Sequence, residues 1–203
     1  MNKNHDAWLK ISGVCGVLAL IIAFVFILSA IASHSQFSWL DNALSDLGVV
    51  EGATAILFNL GLILSGVLTL IFGLGLFTLL HNKVLGFAGT LILAVDALAL
   101  ALIGIFPESA KPMHYYASVA FFVLFPISML LICAEFLSSS RTKMGLFTFV
   151  TAGFAAIVWT VQFTVRPVPG VAIPETLSAL AALAWIAVLG FEMFREDSHL
   201  TAR

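Results

Sequence analysis

The 203-residue chain is 61% hydrophobic and only 10% charged, with a mean hydropathy of +1.10. No water-soluble domain of this size can hide so much apolar surface, so composition predicts an all-α, polytopic membrane protein. The formal net charge is -2, with no basic run and no zinc-type Cys/His spacing. This argues against nucleic acid as a partner and against a structural metal.

Six apolar stretches are long enough to cross about 30 Å of hydrocarbon at about 1.5 Å per residue. They cover residues 11–33, 54–80, 84–106, 114–137, 144–165 and 173–194. Continuous apolar runs without alternation predict helices, not barrel strands. The connections are short, so residues 1–203 are expected to form a single helical-bundle domain.

The basic residues predict the orientation. With a cytoplasmic N-terminus, the inner side holds Lys3, Lys10, Lys83, Arg141, Lys143, Arg195 and Arg203, and the outer side only Lys111 and Arg166. That bias predicts that both termini are cytoplasmic, and the protein is expected in the plasma membrane. The first segment also carries Ala30-Ile31-Ala32, which resembles a signal-peptidase site; cleavage there would leave five spans. Its apolar core is longer than that of a usual signal peptide, which favours a retained helix.

Cys15 and Cys133 both lie within apolar segments and read as small buried residues. In the second span Gly61, Ser65, Thr69 and Gly73 recur every four residues. In the third, Gly86, Gly89, Ala97 and Gly104 lie roughly on the face of Asp96. Small-residue faces let helices approach closely in lipid.

Asp96 is the only charged residue between Val84 and Phe106. A carboxylate near the bilayer midplane costs several kcal/mol (about 2.5–3.5 on the lenient scales), so it is expected to face a cavity, a partner or a proton path. The outer loops supply further polar groups. The first, residues 34–53, carries Asp41, Asn42, Ser45, Asp46 and Glu51 with no Lys or Arg, plus Phe37 and Trp39 at interfacial depth. The second contains Pro107, Glu108, Lys111 and Pro112 and leads into His114, Tyr115 and Tyr116. The third carries Arg166, Pro167, Pro169, Gly170, Pro174 and Glu175, a stiff turn. Asn59 and Gln162 extend this polarity inward. The pattern predicts a pocket wet at its outer rim and ending at Asp96.

Asp46, Asp96 and His114 are the candidate acid/base or metal-binding groups, and Asp41, Ser45, Asn59, Glu108, Tyr115 and Arg166 the candidate ligand contacts. Structural alternatives stand beside these roles. Asp96 could be protonated and hydrogen-bonded to Asn59 as a polar clamp. His114 could cap loop carbonyls or pair with Glu108. Arg166 could bind lipid phosphate, and His34 could be an interfacial residue. Glu135 and Glu192 are expected to snorkel at inner helix ends, while His5, His81 and His199 are expected to be cytoplasmic. Candidate ligands of one His and scattered carboxylates make no hydrolytic metal set, and no HExxH or GxSxG is present. No cofactor is indicated.

Leu44-Ser45-Asp46-Leu47-Gly48, Asn59, Asp96, Phe106-Pro107-Glu108-Ser109 and Met113-His114-Tyr115-Tyr116-Ala117-Ser118, in this order, resemble an archaeal and bacterial six-helix membrane family labelled as domain of unknown function 998. Ser45, Asp46, Gly48 and Glu51, with His114, Ala117 and Ser118, are also similar to the Frag1/DRAM/Sfk1 family, which implies a lipid-linked role but no mechanism. Asp96 has no place in that second pattern.

Three functions compete at this point. A lipid- or amphiphile-handling protein, conceivably a hydrolase or acyl remodeller, would use the outer pocket with Arg166 on phosphate. A scaffold or sensor would use the polar groups for stability and for binding another membrane protein or a second copy. A small proton-coupled transporter would use Asp96, but no repeat relates the two halves and no polar path continues inward.

Overall fold

The computed structural model describes residues 3–195, so His199 and Arg203 lie outside the described residues. It contains α1 (Lys3–Ala32), a 3-10 helix (Leu44–Val49), α2 (Ala53–Leu80), α3 (Val84–Ile105), α4 (Met113–Ser138), α5 (Thr142–Thr164) and α6 (Ala172–Arg195). The six long helices match the six apolar stretches. The largest difference is at α1, which begins at Lys3 and not at residue 11. Its first turns are polar and carry Asp6, whose charge suits a helix N-terminus. Hydropathy marks where a helix meets lipid, not where it starts.

Each helix packs on the next in sequence, and α6 returns to α1, closing a ring. Gly13 and Gly190 make that closure, since a Cβ on either would collide with the carbonyl oxygen of the other. Polarity runs opposite to that of a soluble protein. Ile56, Val150, Ile157 and Phe163 point outward at 62–68% exposure, whereas Ser65, Thr90, Asp96 and Thr148 are at most 1% exposed. All six helices are long and apolar enough to cross a membrane, and the chain is a multi-pass membrane protein.

The ring interior is filled by two apolar clusters. One, at the 3-10 end, includes Ala30, Leu44, Leu47, Phe58, Leu62 and Ile103. The other, toward the opposite end, includes Phe72, Leu93, Met129, Ile132 and Trp185. The predicted small-residue stripes serve several contacts, not one. Gly61 lies against Phe26 of α1, Gly89 against Ile132 of α4, and Gly104 against the Asn59 backbone of α2. Gly66, outside the predicted stripe, makes a second close α2–α3 approach: its Cβ would sit 2.6 Å from the Ala101 nitrogen.

The first loop is exposed at Asp41, Glu51 and Gly52 but buried at Leu44, Leu47 and Gly48. Its 3-10 helix packs on α1, α2 and α6, with Leu47 at 0% exposure, and covers that end of the ring. Several hydrogen bonds hold it. Leu44 N–H donates to Glu175 Oε2 at 2.6 Å, and Asn59 Nδ2 donates to the Gly48 carbonyl at 2.9 Å. Gly170 N–H donates to the Leu40 carbonyl, and Val171 and Ala172 N–H to that of Asn42. The proline-rich α5–α6 turn is stiffened in its own right by Gln162, whose Nε2 donates to Val168 and Gly170 carbonyls.

Candidate functional site

A cavity of about 110 Å³ lies inside the ring between the two apolar clusters. All the helices except α5 contribute to its lining. Phe24, Phe58, Phe121, Phe122 and Phe125 supply five aromatic side chains; the polar side chains are Ser45, Ser65, Thr69, Asp96, Ser118 and Glu175. No Lys, Arg or His is among the lining residues, so both ionisable groups here are acids.

Asp96 sits nine residues from the end of α3, or about 14 Å along the helix. Its side chain is 1% exposed, and Oδ1 has no hydrogen-bond partner. The expected clamp to Asn59 does not form. Asn59 lies beside Gly104, eight residues and roughly 12 Å up α3 from Asp96, and its amide donates to Gly48 instead. Asn59 therefore fastens the plug and stays outside the cavity.

His114 is also outside the lining, although it touches it through a neighbour. Its Nδ1 is 2.8 Å from the Phe106 carbonyl, which can only accept, so Nδ1 carries the proton. Nε2 lies 3.4 Å from Ser118 Oγ, one helical turn on, and Ser118 lines the cavity. In this tautomer Nε2 can accept the Ser118 proton. The group orienting the ring is a peptide carbonyl and not a carboxylate, so it fixes the tautomer without neutralising an imidazolium.

The remaining candidates occupy structural positions. Asp46 Oδ2 accepts from Asn42 Nδ2 at 2.7 Å and from Ala43 N–H at 3.0 Å, bracing the start of the 3-10 helix. Asp41 accepts from the Ser38 hydroxyl on the exposed surface. Glu108 lies 3.9 Å from Lys111 and hydrogen-bonds Asp46; partial burial, and then the Asp46 carboxyl, raise its pKa above the usual glutamate value. Tyr115 is 63% exposed and edge-on to Tyr116. Arg166 is exposed at φ 50°, ending α5 in the left-handed region. Of the predicted site residues, only Asp96 and Ser45 line the cavity.

One other expectation changes. Glu135 does not snorkel: it is 4% exposed and accepts a hydrogen bond from the Ser139 hydroxyl at 2.5 Å. Among the described residues no group of three or more His, Cys, Asp or Glu side chains could hold a metal ion.

Sequence reasoning missed Glu175, Ser65, Thr69 and Ser118 as cavity groups. Ser65 and Thr69 were visible as an i,i+4 pair in the second span, and Ser118 as i+4 from His114. Nothing in the sequence showed that α6 brings Glu175 to the ring interior.

The family described as "Protein of unknown function (DUF998)" matches residues 17–192. The chain belongs to that family. The match runs from within α1 to near the end of α6 and covers the 3-10 plug and every cavity-lining residue. No curated protein and no solved structure matches the chain.

Proposed function

We propose that this DUF998 protein binds a small amphiphile inside its helix ring, drawn from the surrounding membrane lipid. The observation that supports this most directly is Asp96: a buried carboxyl with an unpartnered oxygen on the wall of a largely apolar cavity. An orphaned buried acceptor costs about 1–3 kcal/mol, a cost that a donor on a bound molecule would offset. The volume limits the occupant. A cavity of about 150 Å³ holds a benzene ring, so about 110 Å³ admits a compact molecule or one end of a longer one, never a whole phospholipid.

The polar ends of the site support the same reading. Ser45 and Glu175 stand at the plug, which the basic-residue bias places on the outer face of the plasma membrane. Toward the other end, Phe72, Leu93, Met129 and Trp185 fill the ring at 0% exposure, which argues against a continuous proton path. Arg166 is exposed and is not among the lining residues, which argues against phosphate recognition in the cavity.

The scaffold reading has one specific observation in its favour. Asp46, Asn59 and Gln162 each spend their polarity on the protein's own loops. In that reading the partner is another membrane protein or a second copy, meeting the apolar outer face of α5.

Mass spectrometry of small molecules retained by the gently purified protein tests the proposal, comparing wild type with Ala179→Phe. Ala179 lines the cavity, and phenylalanine there fills space without changing charge. A defined compound kept by wild type and lost from the variant is the expected result. Identical retention in both removes the cavity as a binding site.

A further inference from the structure

We infer that the occupant of the central cavity is a protonated amine with a compact apolar body, its ammonium group taken up by Asp96. This inference rests on the proposed binding role of the cavity and names its ligand class. Charge decides it first. Two carboxyl side chains, Asp96 and Glu175, line the space with no cationic side chain beside them. An anionic headgroup would find no cationic side chain among the lining residues, whereas a bound cation favours the ionised form of a neighbouring carboxyl. An ammonium ion cancels that charge and supplies N–H donors.

The geometry provides for those donors. Asp96 Oδ1 is buried and unpartnered. The Ser65 hydroxyl already donates to the Ala19 carbonyl at 2.9 Å, which leaves its oxygen lone pairs to accept. Ammonium groups are also drawn to aromatic faces within about 6 Å, and Phe121, Phe122 and Phe125 lie on the same cavity. A bare metal ion fits less well: no set of three ligating side chains exists among the described residues, and the walls are apolar. An alkyl or aryl body of no more than about six heavy atoms suits the volume, by comparison with the benzene-sized cavity.

Glu175 gives the second contact a consequence. One of its oxygens already holds Leu44 at the plug, so a cation reaching this carboxyl touches the group that closes the ring.

The test uses the full chain in phosphatidylcholine nanodiscs, with hexylammonium, hexanol and hexanoate as probes of one size and three charges. Saturation-transfer NMR or calorimetry, corrected against empty nanodiscs, reads the affinities. Hexylammonium is expected to bind at least about ten-fold more tightly than either other probe. That preference should fall to about one in Asp96→Asn and weaken in Glu175→Gln, which keeps an acceptor for Leu44. Equal binding of hexylammonium and hexanol, or tighter binding of hexanoate, overturns the amine inference and leaves the cavity reading standing. Binding of none of the three, or undiminished binding in Ala179→Phe, overturns both. A preference retained in Asp96→Asn and Glu175→Gln alike also refutes the inference. If Asp96→Asn does not fold, Glu175→Gln still decides the role of charge.

Discussion

The Leu44 N–H donates to Glu175 Oε2 at 2.6 Å across 131 residues of sequence. This bond joins the first loop to the last helix, and both residues line the cavity. Plug and site therefore share a side chain. Glu175→Ala should loosen the 3-10 helix by about 1–3 kcal/mol, the cost of losing a partly buried hydrogen bond to a carboxyl group. Glu175→Gln should lose less. Hydrogen exchange of the 44–49 amides measures both; unchanged protection in Glu175→Ala would show that the other loop contacts suffice.

Glycine substitutions should separate packing from flexibility. At Gly66 a methyl would sit 2.6 Å from the Ala101 nitrogen and 2.8 Å from the Ala97 carbonyl oxygen, both backbone atoms. Gly66→Ala should therefore force α2 and α3 apart at a cost of about 1–3 kcal/mol. Gly153 in α5 has nothing within 4 Å of its would-be Cβ, and Gly153→Ala should stabilise by about 0.5–1 kcal/mol. Thermal midpoints of the two variants should move in opposite directions.

Trp185 Nε1 donates to Thr148 Oγ1 at 2.9 Å, and both side chains are at 0% exposure. Thr148→Val preserves the shape and orphans the indole N–H. It should cost about 1–3 kcal/mol, since the lost partner cannot be replaced by water in the ring interior. Thr148→Ser keeps the hydroxyl and should cost clearly less. A loss in Thr148→Ser as large as that in Thr148→Val would show that the methyl group contributes as much as the hydrogen bond.

Glu108 should make the second loop sensitive to pH. Burial, followed by the hydrogen bond and charge of Asp46, raises its folded pKa. A raised acid pKa means that the folded state holds its proton more tightly than the unfolded one. The stabilisation is thus present at low pH and is lost as pH rises from about 4.3, the ordinary glutamate value, through the raised folded value. Glu108→Gln mimics the protonated carboxyl and should flatten that decline. Exchange rates of the residue 106–112 amides, corrected for intrinsic chemistry across a pH series, would show it; an unchanged slope in the variant assigns the dependence to another group.

The six spans were legible because lipid imposes one rule on the backbone. Every N–H and C=O must be satisfied within the segment, so an apolar run of sufficient length is a helix. Asp96 stood out for the same reason, as a charge with no cheap place in hydrocarbon. Its partner was not legible. Asn59 and Asp96 both looked inward on a helix, but Gly104 sets the level at which α2 crosses α3, and that level separates them by two turns. His114 was a natural candidate from its place at a helix start, yet its ring is held at the Phe106 carbonyl, outside the lining, and Ser118 one turn on lines the cavity instead. Asp46 looked like a catalytic acid in a polar loop, but the shortest route for its oxygens is to the N–H groups of its own turn.

The sequence by itself determined the solvent, the number of helices and the presence of one buried acid, because hydropathy and burial cost are local properties of each segment. Only the tertiary structure decided that the first loop is a plug, that Glu175 joins Asp96 in one cavity, and that no cation accompanies them. Those are facts of ring closure: α6 packs back on α1 through Gly13 and Gly190. A contact made by residues from opposite ends of a chain has no signature in either end alone.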